Sequence, residues 1–311
     1  MRLIEYTVRL RNADLLAVSA PDDFVLEAGQ PVESSRMLAA EVSPYCFDLS
    51  SASLLCVSTP DISHEVFFYQ AQRRYARSVI KVPFELLPKG PASPTLLFSI
   101  GRCGSTLLVR ALNALGLRTV SEPDFYRQAA YYATLGTALH APLAGATGLL
   151  PYAAMKLHLE CNNAPLLIAG AFPAPTILFI LRDPVDWAAS LRRISRNSLQ
   201  PEWAVGLLKT GLRALDQLCA AYAVRICYYE DFRELGAEYF ADLLPGASAP
   251  AKPNPSSLSA VAARDAQEGT FVSRAALRGV PEDPAFRESF AREWSRSRPA
   301  ELIDRLGLRF L

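Results

Sequence analysis

Alternating polar and apolar residues at the start of the chain predict a half-buried strand over residues 4–10. Its apolar positions, expected to share one face, are Ile4, Tyr6, Val8 and Leu10. Further short apolar runs, separated by Pro, Asp and Ser clusters, extend this pattern to about residue 60 and predict a small β-rich unit. The pattern over 65–80 predicts a helix, and the four prolines within 83–94 predict a linker.

The pattern changes after this linker, where short, continuously apolar runs alternate with stretches of helical periodicity. These runs cover 95–100, 176–181 and 224–229. Continuous apolar strands that alternate with helices are typical of a parallel sheet covered on both faces. The sequence therefore predicts an α/β fold, with a P-loop-like parallel sheet flanked by helices and preceded by the β-rich unit.

Two domains follow from this division. Residues 1–90 are predicted to form an N-terminal β-rich accessory unit with its linker, and residues 91–311 are predicted to form the α/β domain. A second proline-rich segment at 245–255 precedes helices that are expected to end near Leu306, with Gly307 as the stop.

Composition narrows the classes of function. Of the 311 residues, 50% are hydrophobic and 20% charged, and the formal net charge is +1. Such a chain buries a large core, and its interspersed charges indicate no nucleic-acid partner. No apolar run approaches the ~20 residues of a membrane helix. We expect a cytoplasmic protein with no membrane span; the oligomeric state is not readable.

The six cysteines are scattered, with no C-x-x-C pair and no Cys/His spacing typical of a zinc site. They are interpreted as reduced thiols, and no metal cofactor is expected.

A glycine-containing turn follows the first apolar run and opens a helix, with Leu108, Leu112 and Leu115 on one face and Gly116 at its end. Glycines let backbone N–H groups approach a phosphate, and the helix N-terminus adds positive potential. The predicted cradle consists of Gly101, Arg102, Cys103, Gly104, Ser105 and Thr106. The alternative is an ordinary tight turn. Because no lysine follows Gly104, the loop departs from the Walker A pattern.

A second anion site is predicted where the run 176–181 ends. Asp183 is suited to cap the next helix and Pro184 to its first position, which leaves Arg182 at the carboxyl end of the strand and Ser190 about two turns into the helix. In open α/β sheets ligands bind beyond this edge. The alternative interpretation of Arg182 is a solvated surface charge.

At these two segments the sequence resembles the sulfotransferases that use 3′-phosphoadenosine-5′-phosphosulfate (PAPS). Their 5′-phosphosulfate loop is similar to GRCGSTLL, with Lys or Arg where Arg102 stands. Their 3′-phosphate site is an Arg followed eight positions later by a Ser, which Arg182 and Ser190 match. The resemblance covers about residues 95–231, including VRICYYEDF, a structural landmark of the family.

The resemblance also implies catalytic residues. Cytosolic members carry a transfer lysine and a catalytic histidine in a K-x-H-L segment, which Lys156 and His158 match within AMKLHLE. A histidine with a pKa near ~6.5 is suited to take the acceptor's proton, although a packed structural histidine is the alternative. Glu122 is a rival base, because some carbohydrate-directed members use a glutamate here; it also fits an ordinary helix start.

The resemblance weakens elsewhere. Family members close over the nucleotide with a late basic loop, for which Arg274 or Arg278 is a candidate. Leu107 stands where many cytosolic members have a tryptophan, so adenine stacking would need another residue. The first 90 residues have no counterpart in the family, and they are interpreted either as a structural unit or as a module that recruits the acceptor.

Together these features imply transfer of a sulfuryl group from PAPS to a hydroxyl or amine of a small-molecule or carrier-bound acceptor, with release of adenosine 3′,5′-bisphosphate. The acceptor's identity stays open. The alternatives are a nucleotide-binding protein without catalysis and a divergent P-loop kinase, which would need magnesium and a loop lysine.

Two further segments have open interpretations. Residues 124–150 are predicted to form either a lid over the acceptor or a helix pair packed on the sheet. The basic residues of the predicted helix at 65–80 and just beyond it would bind an anionic acceptor or, more simply, form a solvated face. These residues are Arg73, Arg74, Arg77 and Lys81.

Overall fold

A computed structural model describes residues 2–63, 65–234, 239, 243, 258, 260–261, 263 and 265–309. The proline-rich segment predicted at 245–255 lies outside these residues. Within the described part of the chain, none of the helices has the length and hydropathy to cross a membrane.

The strands of the described chain form two five-stranded sheets. The first contains β1 (Arg2–Arg11), β2 (Phe24–Glu33), β3 (Val42–Asp48), β4 (Ser53–Ser58) and β5 (Ser78–Pro83). The second contains β6 (Thr95–Ser99), β7 (Thr119–Ser121), β8 (Ala154–Lys156), β9 (Thr176–Leu181) and β10 (Val224–Tyr228).

The α-helices follow the same chain order. They are α1 (Phe68–Tyr75), α2 (Ser105–Ala114), α3 (Asp124–Thr134), α4 (His140–Gly148), α5 (Pro165–Gly170), α6 (Pro184–Ile194), α7 (Pro201–Ala221), α8 (Tyr229–Glu234), α9 (Pro284–Ser297) and α10 (Ala300–Leu306). The predicted end of the last helix at Leu306, before Gly307, is confirmed.

The predicted fold class is confirmed. The first sheet is antiparallel with strand order β2-β1-β5-β4-β3, and the second is parallel, flanked by helices, with order β10-β9-β6-β8-β7. The three apolar runs became β6, β9 and β10. The sequence missed β7 and β8, because a strand of three residues leaves no readable periodicity.

The face predicted for β1 is wrong. Leu3 and Val8 are buried, whereas Ile4 and Leu10 are 38% and 56% exposed. Register shifts in the pairing with β2, between Tyr6 and Val8 and between Val8 and Leu10, break the strict alternation. A β-bulge moves later side chains to the other face of a strand, so an uninterrupted period of two did not apply here.

The helix predicted over 65–80 is also wrong at its end. Helix α1 stops at Tyr75, and the chain enters β5 at Ser78. Val79, Ile80 and Val82 are fully buried where β5 lies between β1 and β4. β-branched residues pack well on such a surface, so the sheet overrode the apparent helical pattern.

The basic residues of this segment therefore do not share one face. Arg73 is fully buried, whereas Arg74 and Arg77 are exposed. Lys81 lies in β5, with its Nζ 3.5 Å from Asp48 Oδ2. Both interpretations of the group fail for Arg73, which neither faces solvent nor is free to bind an acceptor.

Arg73 belongs to a buried polar network. Its Nη2 lies 3.0 Å from Asp23 Oδ2, and its Nε donates to the Tyr45 hydroxyl at 2.7 Å. That hydroxyl in turn donates to Asp23 at 2.5 Å. A third guanidinium contact goes to the Ala17 carbonyl at 3.1 Å. The charge is thus matched by a carboxylate and by hydrogen bonds, as a buried arginine requires.

The segment predicted as a linker packs closely against α4. A Cβ on Gly90 would lie 2.3 Å from the Ala144 carbonyl oxygen, and one on Gly145 would lie 2.6 Å from Leu87 Cβ. Both contacts are too short for any larger residue, so glycine lets the two backbones meet. This stretch is part of a packed unit rather than a free connection.

Helix α3 is likewise a packing element, which favours the second interpretation of 124–150. Phe125, Tyr126 and Ala129 are fully buried. The Gln128 side chain accepts from the Phe47 N–H and donates to the Phe47 carbonyl at 2.9 Å. Since β3 is an edge strand, the amide takes the place of a neighbouring strand at this position.

The chain divides into two compact units. The first comprises Met1–Leu96 and Arg118–Thr176, and the second comprises Leu97–Leu117 and Ile177–Leu311. The division at residue 90, read from sequence character, stays a prediction. The candidate functional residues fall into one group in each unit, and each group is described separately below.

Candidate functional site

The glycine turn of the second unit has the backbone of an anion-binding loop. Gly101, Arg102 and Gly104 have φ values of +69°, +49° and +79°, and α2 begins at the next residue. Left-handed residues at a helix start turn successive N–H groups toward one point, where they bind an anion. Arg102 is the one residue of these three that is not a glycine, so its positive φ strains the backbone. Such strain is common at functional sites.

Contacts within the second unit hold the loop in place. The indole Nε1 of Trp187 donates to the Gly101 carbonyl at 2.8 Å. A Cβ on Gly104 would lie 2.3 Å from Tyr229 Cδ2, so glycine is required there. Cys103, Ser105 and Thr106 are buried. The predicted sequence of strand, glycine loop and helix is present, and the loop geometry favours the anion cradle over an ordinary turn.

The second predicted anion site meets this loop. Asp183 caps α6 by accepting from the Asp186 N–H at 2.8 Å, as predicted. Arg182 Nη1 donates to the Arg102 carbonyl at 3.3 Å, and Arg102 Nε donates to Ser190 Oγ at 3.2 Å. The structure therefore brings Arg102, Arg182 and Ser190 together from two segments that are about 80 residues apart in sequence.

Positive charge is concentrated here in an arginine cluster that consists of Arg102, Arg182 and Arg193. Burial, together with the charges of Arg182 and Arg193, lowers the pKa of Arg102 to about 10, while Asp265 acts in the opposite direction. Among the residues that the structure describes, none of the three arginines forms a salt bridge with a carboxylate. The Nε atoms of Arg182 and Arg193 are buried without a hydrogen-bond partner. Such a cluster favours an anionic ligand.

The sequence-based predictions omitted one member of this cluster, Arg193, and two neighbouring residues, Tyr229 and Gln267. Arg193 lies three positions after Ser190 on α6, a helical spacing that could have suggested it. Tyr229 places its ring centroid 4.8 Å from the Arg182 guanidinium carbon. Gln267 accepts a hydrogen bond from Arg102 Nη1 through Oε1, and no local sequence signal indicates this contact.

The contacts of Arg274 and Arg278 do not distinguish between the two candidates for the late basic loop. Arg274 and Arg278 are both exposed. The Arg274 N–H donates to Asp265, but within the described residues neither guanidinium makes a hydrogen bond or ion pair. Their assignment to the nucleotide stays a prediction.

The first unit holds a second candidate group, formed where β7 and β8 end. The Glu122 N–H donates to the Lys156 carbonyl at 2.8 Å, which continues the pairing of the two strands. The Lys156 ammonium and the Glu122 carboxylate form a direct ion pair, with side chains 5% and 12% exposed. Glu122 has a φ of +60°, an unusual conformation for a glutamate.

His158 lies beside this pair. Its Nε2 is 3.9 Å from Glu122 Oε2, and its Nδ1 contacts Glu160 Oε2 directly. The histidine and the glutamate that the sequence analysis treated as rival bases are therefore neighbours in one group. Glu160, which the sequence analysis did not single out, is the histidine's closest polar partner among the described residues.

The charges of this group shift its pKa values in opposite directions. Burial raises the pKa of Glu122, but Lys156 and His158 lower it more, so the net shift is downward. Burial lowers the pKa of His158, but Glu122 and Glu160 outweigh it and raise the pKa. An ionised carboxylate beside an imidazole of raised basicity is suited to proton transfer.

Comparisons with known proteins identify no family. No protein-family model matches the chain, and no match was found among the curated proteins.

Proposed function

We propose that this chain is a sulfotransferase that moves a sulfuryl group from PAPS to a hydroxyl or amine acceptor. The proposal depends on the arginine cluster of Arg102, Arg182 and Arg193, which lies beside a loop with three left-handed residues. Among the described residues, none of these arginines forms a salt bridge. Sequence resemblance supplies the class of ligand. A ligand with separate anionic groups on one nucleotide matches a cluster that combines an N–H cradle with several guanidinium groups.

In this proposal the loop N–H groups and Arg102 bind the 5′-phosphosulfate, and Arg182 with Ser190 binds the 3′-phosphate. The acceptor oxygen or nitrogen forms a bond to sulfur as the bond from sulfur to the 5′-phosphate oxygen breaks. The electron pair of the broken bond stays on that phosphate, whose developing charge is stabilised by positive groups, Lys156 among them by resemblance. The acceptor's proton passes to the group that contains His158 and Glu122.

Thermal stabilisation of the purified protein by adenosine 3′,5′-bisphosphate, compared with ATP and magnesium, tests the nucleotide class. A ligand that binds only the folded state raises its melting temperature. We expect stabilisation by the bisphosphate that is lost in Arg182→Ala and kept in Arg213→Ala, which removes an exposed arginine of α7.

A response to ATP and magnesium alone would overturn the proposal and favour a divergent kinase. Bisphosphate binding without sulfuryl transfer to any of a panel of phenols, sugars, amines and peptides would favour a nucleotide-binding protein without catalysis. Transfer of ³⁵S-labelled sulfate from PAPS to one class of acceptor would support the proposal and name the acceptor chemistry.

A further inference from the structure

His158 has hydrogen-bonding surroundings that differ at its two ring nitrogens. Nδ1 contacts the Glu160 carboxylate directly. Nε2 lies 3.9 Å from the closest oxygen of Glu122, which exceeds the range of a direct hydrogen bond. A neutral imidazole carries one proton, and the nitrogen that faces a hydrogen-bond acceptor keeps it. The proton of neutral His158 therefore belongs on Nδ1.

Glu160 is itself held in position. It follows His158 by two residues, at the start of a 3-10 turn over Leu159–Asn163 in which the Cys161 N–H donates to the His158 carbonyl at 3.0 Å. Its second carboxylate oxygen lies 3.6 Å from Nε of Arg127, and that guanidinium also lies 3.6 Å from Asp124, whose side chain is fully buried. Arg127 of α3 thus pairs with the same carboxylate that contacts the imidazole.

We propose that Glu160 is a positioning residue that keeps the proton of His158 on Nδ1 and leaves Nε2 as the nitrogen that takes the acceptor's proton. The catalytic part of this inference rests on the proposed function. In the transfer step the acceptor's O–H or N–H bond breaks, its proton goes to Nε2, and Glu160 stabilises the imidazolium that forms. A carboxylate that orients a catalytic histidine in this way is a general solution in enzymes.

The groups that face His158 determine how this arrangement responds to pH. Glu122 follows β7, Lys156 ends β8, Glu160 lies in the turn after His158, and Arg127 belongs to α3. The ring of Tyr69, from α1, packs edge-on with a centroid distance of 6.3 Å. The two carboxylates raise the pKa of His158 against burial, so removal of either should lower it.

Nitrogen-15 NMR of the imidazoles tests the orientation without any assay of activity. The chain has three histidines, so His158→Gln assigns the signal. We expect neutral wild-type His158 to be protonated at Nδ1. In Glu160→Ala the pKa should fall and the proton should move to Nε2, the usual preference of a free imidazole. The isosteric Glu160→Gln, which keeps an acceptor but no charge, should lower the pKa and retain Nδ1 protonation in part.

Glu301→Gln, a change at an exposed carboxylate of α10, is the matched control and should leave the His158 signal unchanged. Neutral wild-type His158 protonated at Nε2, or a signal that is unchanged in Glu160→Ala, would overturn the inference.

The kinetic arm measures transfer from PAPS over pH. We expect both Glu160 variants to show a lower limiting rate, by at least about tenfold in Glu160→Ala, with the KM for PAPS unchanged and the rate midpoint moved to lower pH. An equal loss at every pH together with a raised KM would overturn the positioning role. If the wild type transfers no sulfuryl group to any acceptor, the proposed function fails, while the NMR result still decides the orientation.

Discussion

Arg73 in the first unit and Arg102 in the second are both largely withdrawn from solvent, but they have opposite kinds of partner. Arg73 contacts the Asp23 carboxylate, the Tyr45 hydroxyl and backbone carbonyls. Arg102 contacts a serine hydroxyl and a neutral amide, and its nearest charges include two further arginines. Burial alone therefore does not distinguish the two arginines. Among the described residues, the difference is that Arg73 has a salt bridge to a carboxylate and Arg102 has none.

The difference follows from the cost of burying charge. A buried guanidinium is tolerated when a carboxylate and hydrogen bonds replace water, and its removal then leaves the carboxylate unpaired. A cluster of like charges destabilises the folded state until an anion binds. An arginine paired with a carboxylate, such as Arg73, should therefore matter for stability. An arginine among like charges, such as Arg102, should matter for ligand affinity. Substitutions at Arg73, Glu122, Arg102 and Gln267 test this contrast.

The largest expected effect is on folding. Arg73→Met should lower the free energy of unfolding by about 3–5 kcal/mol, because it leaves Asp23 buried and uncompensated. Urea denaturation followed by far-UV circular dichroism measures it. Arg74→Met, at the exposed neighbouring position, should change the same quantity by no more than about 0.5 kcal/mol. The double variant Arg73→Met with Asp23→Asn should lose less than the sum of the single variants, since both charges leave together.

A smaller effect on the free energy of unfolding, one that depends on pH, is expected when the Lys156–Glu122 ion pair is broken. This pair differs from that of Arg73 because it lies within a candidate site. At neutral pH, Glu122→Gln should cost about 2 kcal/mol, less than a fully buried pair because the glutamate retains some exposure. The lowered pKa of Glu122 means that its contribution is present above the ordinary value of 4.5 and is lost as the pH falls through the folded-state value.

The stability difference between wild type and Glu122→Gln should therefore begin to shrink below about pH 4.5, where the carboxyl of the unfolded wild-type chain takes up its proton. It should disappear only below the lower folded-state pKa, where the carboxyl of the folded protein is neutral as well. Denaturation curves recorded from pH 7 to pH 3 measure this trend. Glu27→Gln, at an exposed position of β2, is the control. A difference that stays constant over the whole range would show that the ion pair is not what the substitution removes.

The third effect is on ligand binding. Arg102→Met should weaken binding of adenosine 3′,5′-bisphosphate by roughly 10–100-fold, the loss of about 1.5–3 kcal/mol expected for charge-assisted hydrogen bonds. Without ligand its free energy of unfolding should change by no more than about 1 kcal/mol, because repulsion with Arg182 is relieved. Calorimetric titration and denaturation of the same preparation separate the two quantities. A destabilisation as large as that of Arg73→Met would abolish the contrast between the regions.

The sequence predicted those features whose signals are local. Continuous apolar runs indicated β6, β9 and β10, and the Asp-Pro start of α6 and the glycine loop before α2 are short patterns with a direct physical meaning. Arg73 could not be placed this way, because its partners Asp23 and Tyr45 are 50 and 28 positions away. Glu160 was not predicted for a different reason. Its contact with His158 depends on the 3-10 turn over Leu159–Asn163, and no sequence pattern indicated that turn.

The smallest effect concerns Gln267, whose amide oxygen accepts a hydrogen bond from Arg102. An anionic ligand that binds Arg102 through the same N–H must displace this neutral acceptor, so Gln267→Ala should tighten bisphosphate binding. One neutral hydrogen bond is worth about 0.5–1.5 kcal/mol, which corresponds to a gain of roughly 2–10-fold. Calorimetric titration can resolve that gain against Gln217→Ala, a substitution at an exposed position of α7. Weaker binding in Gln267→Ala would instead show that the Gln267 amide contacts the ligand. The partner of Arg102 would then assist ligand binding rather than compete with it.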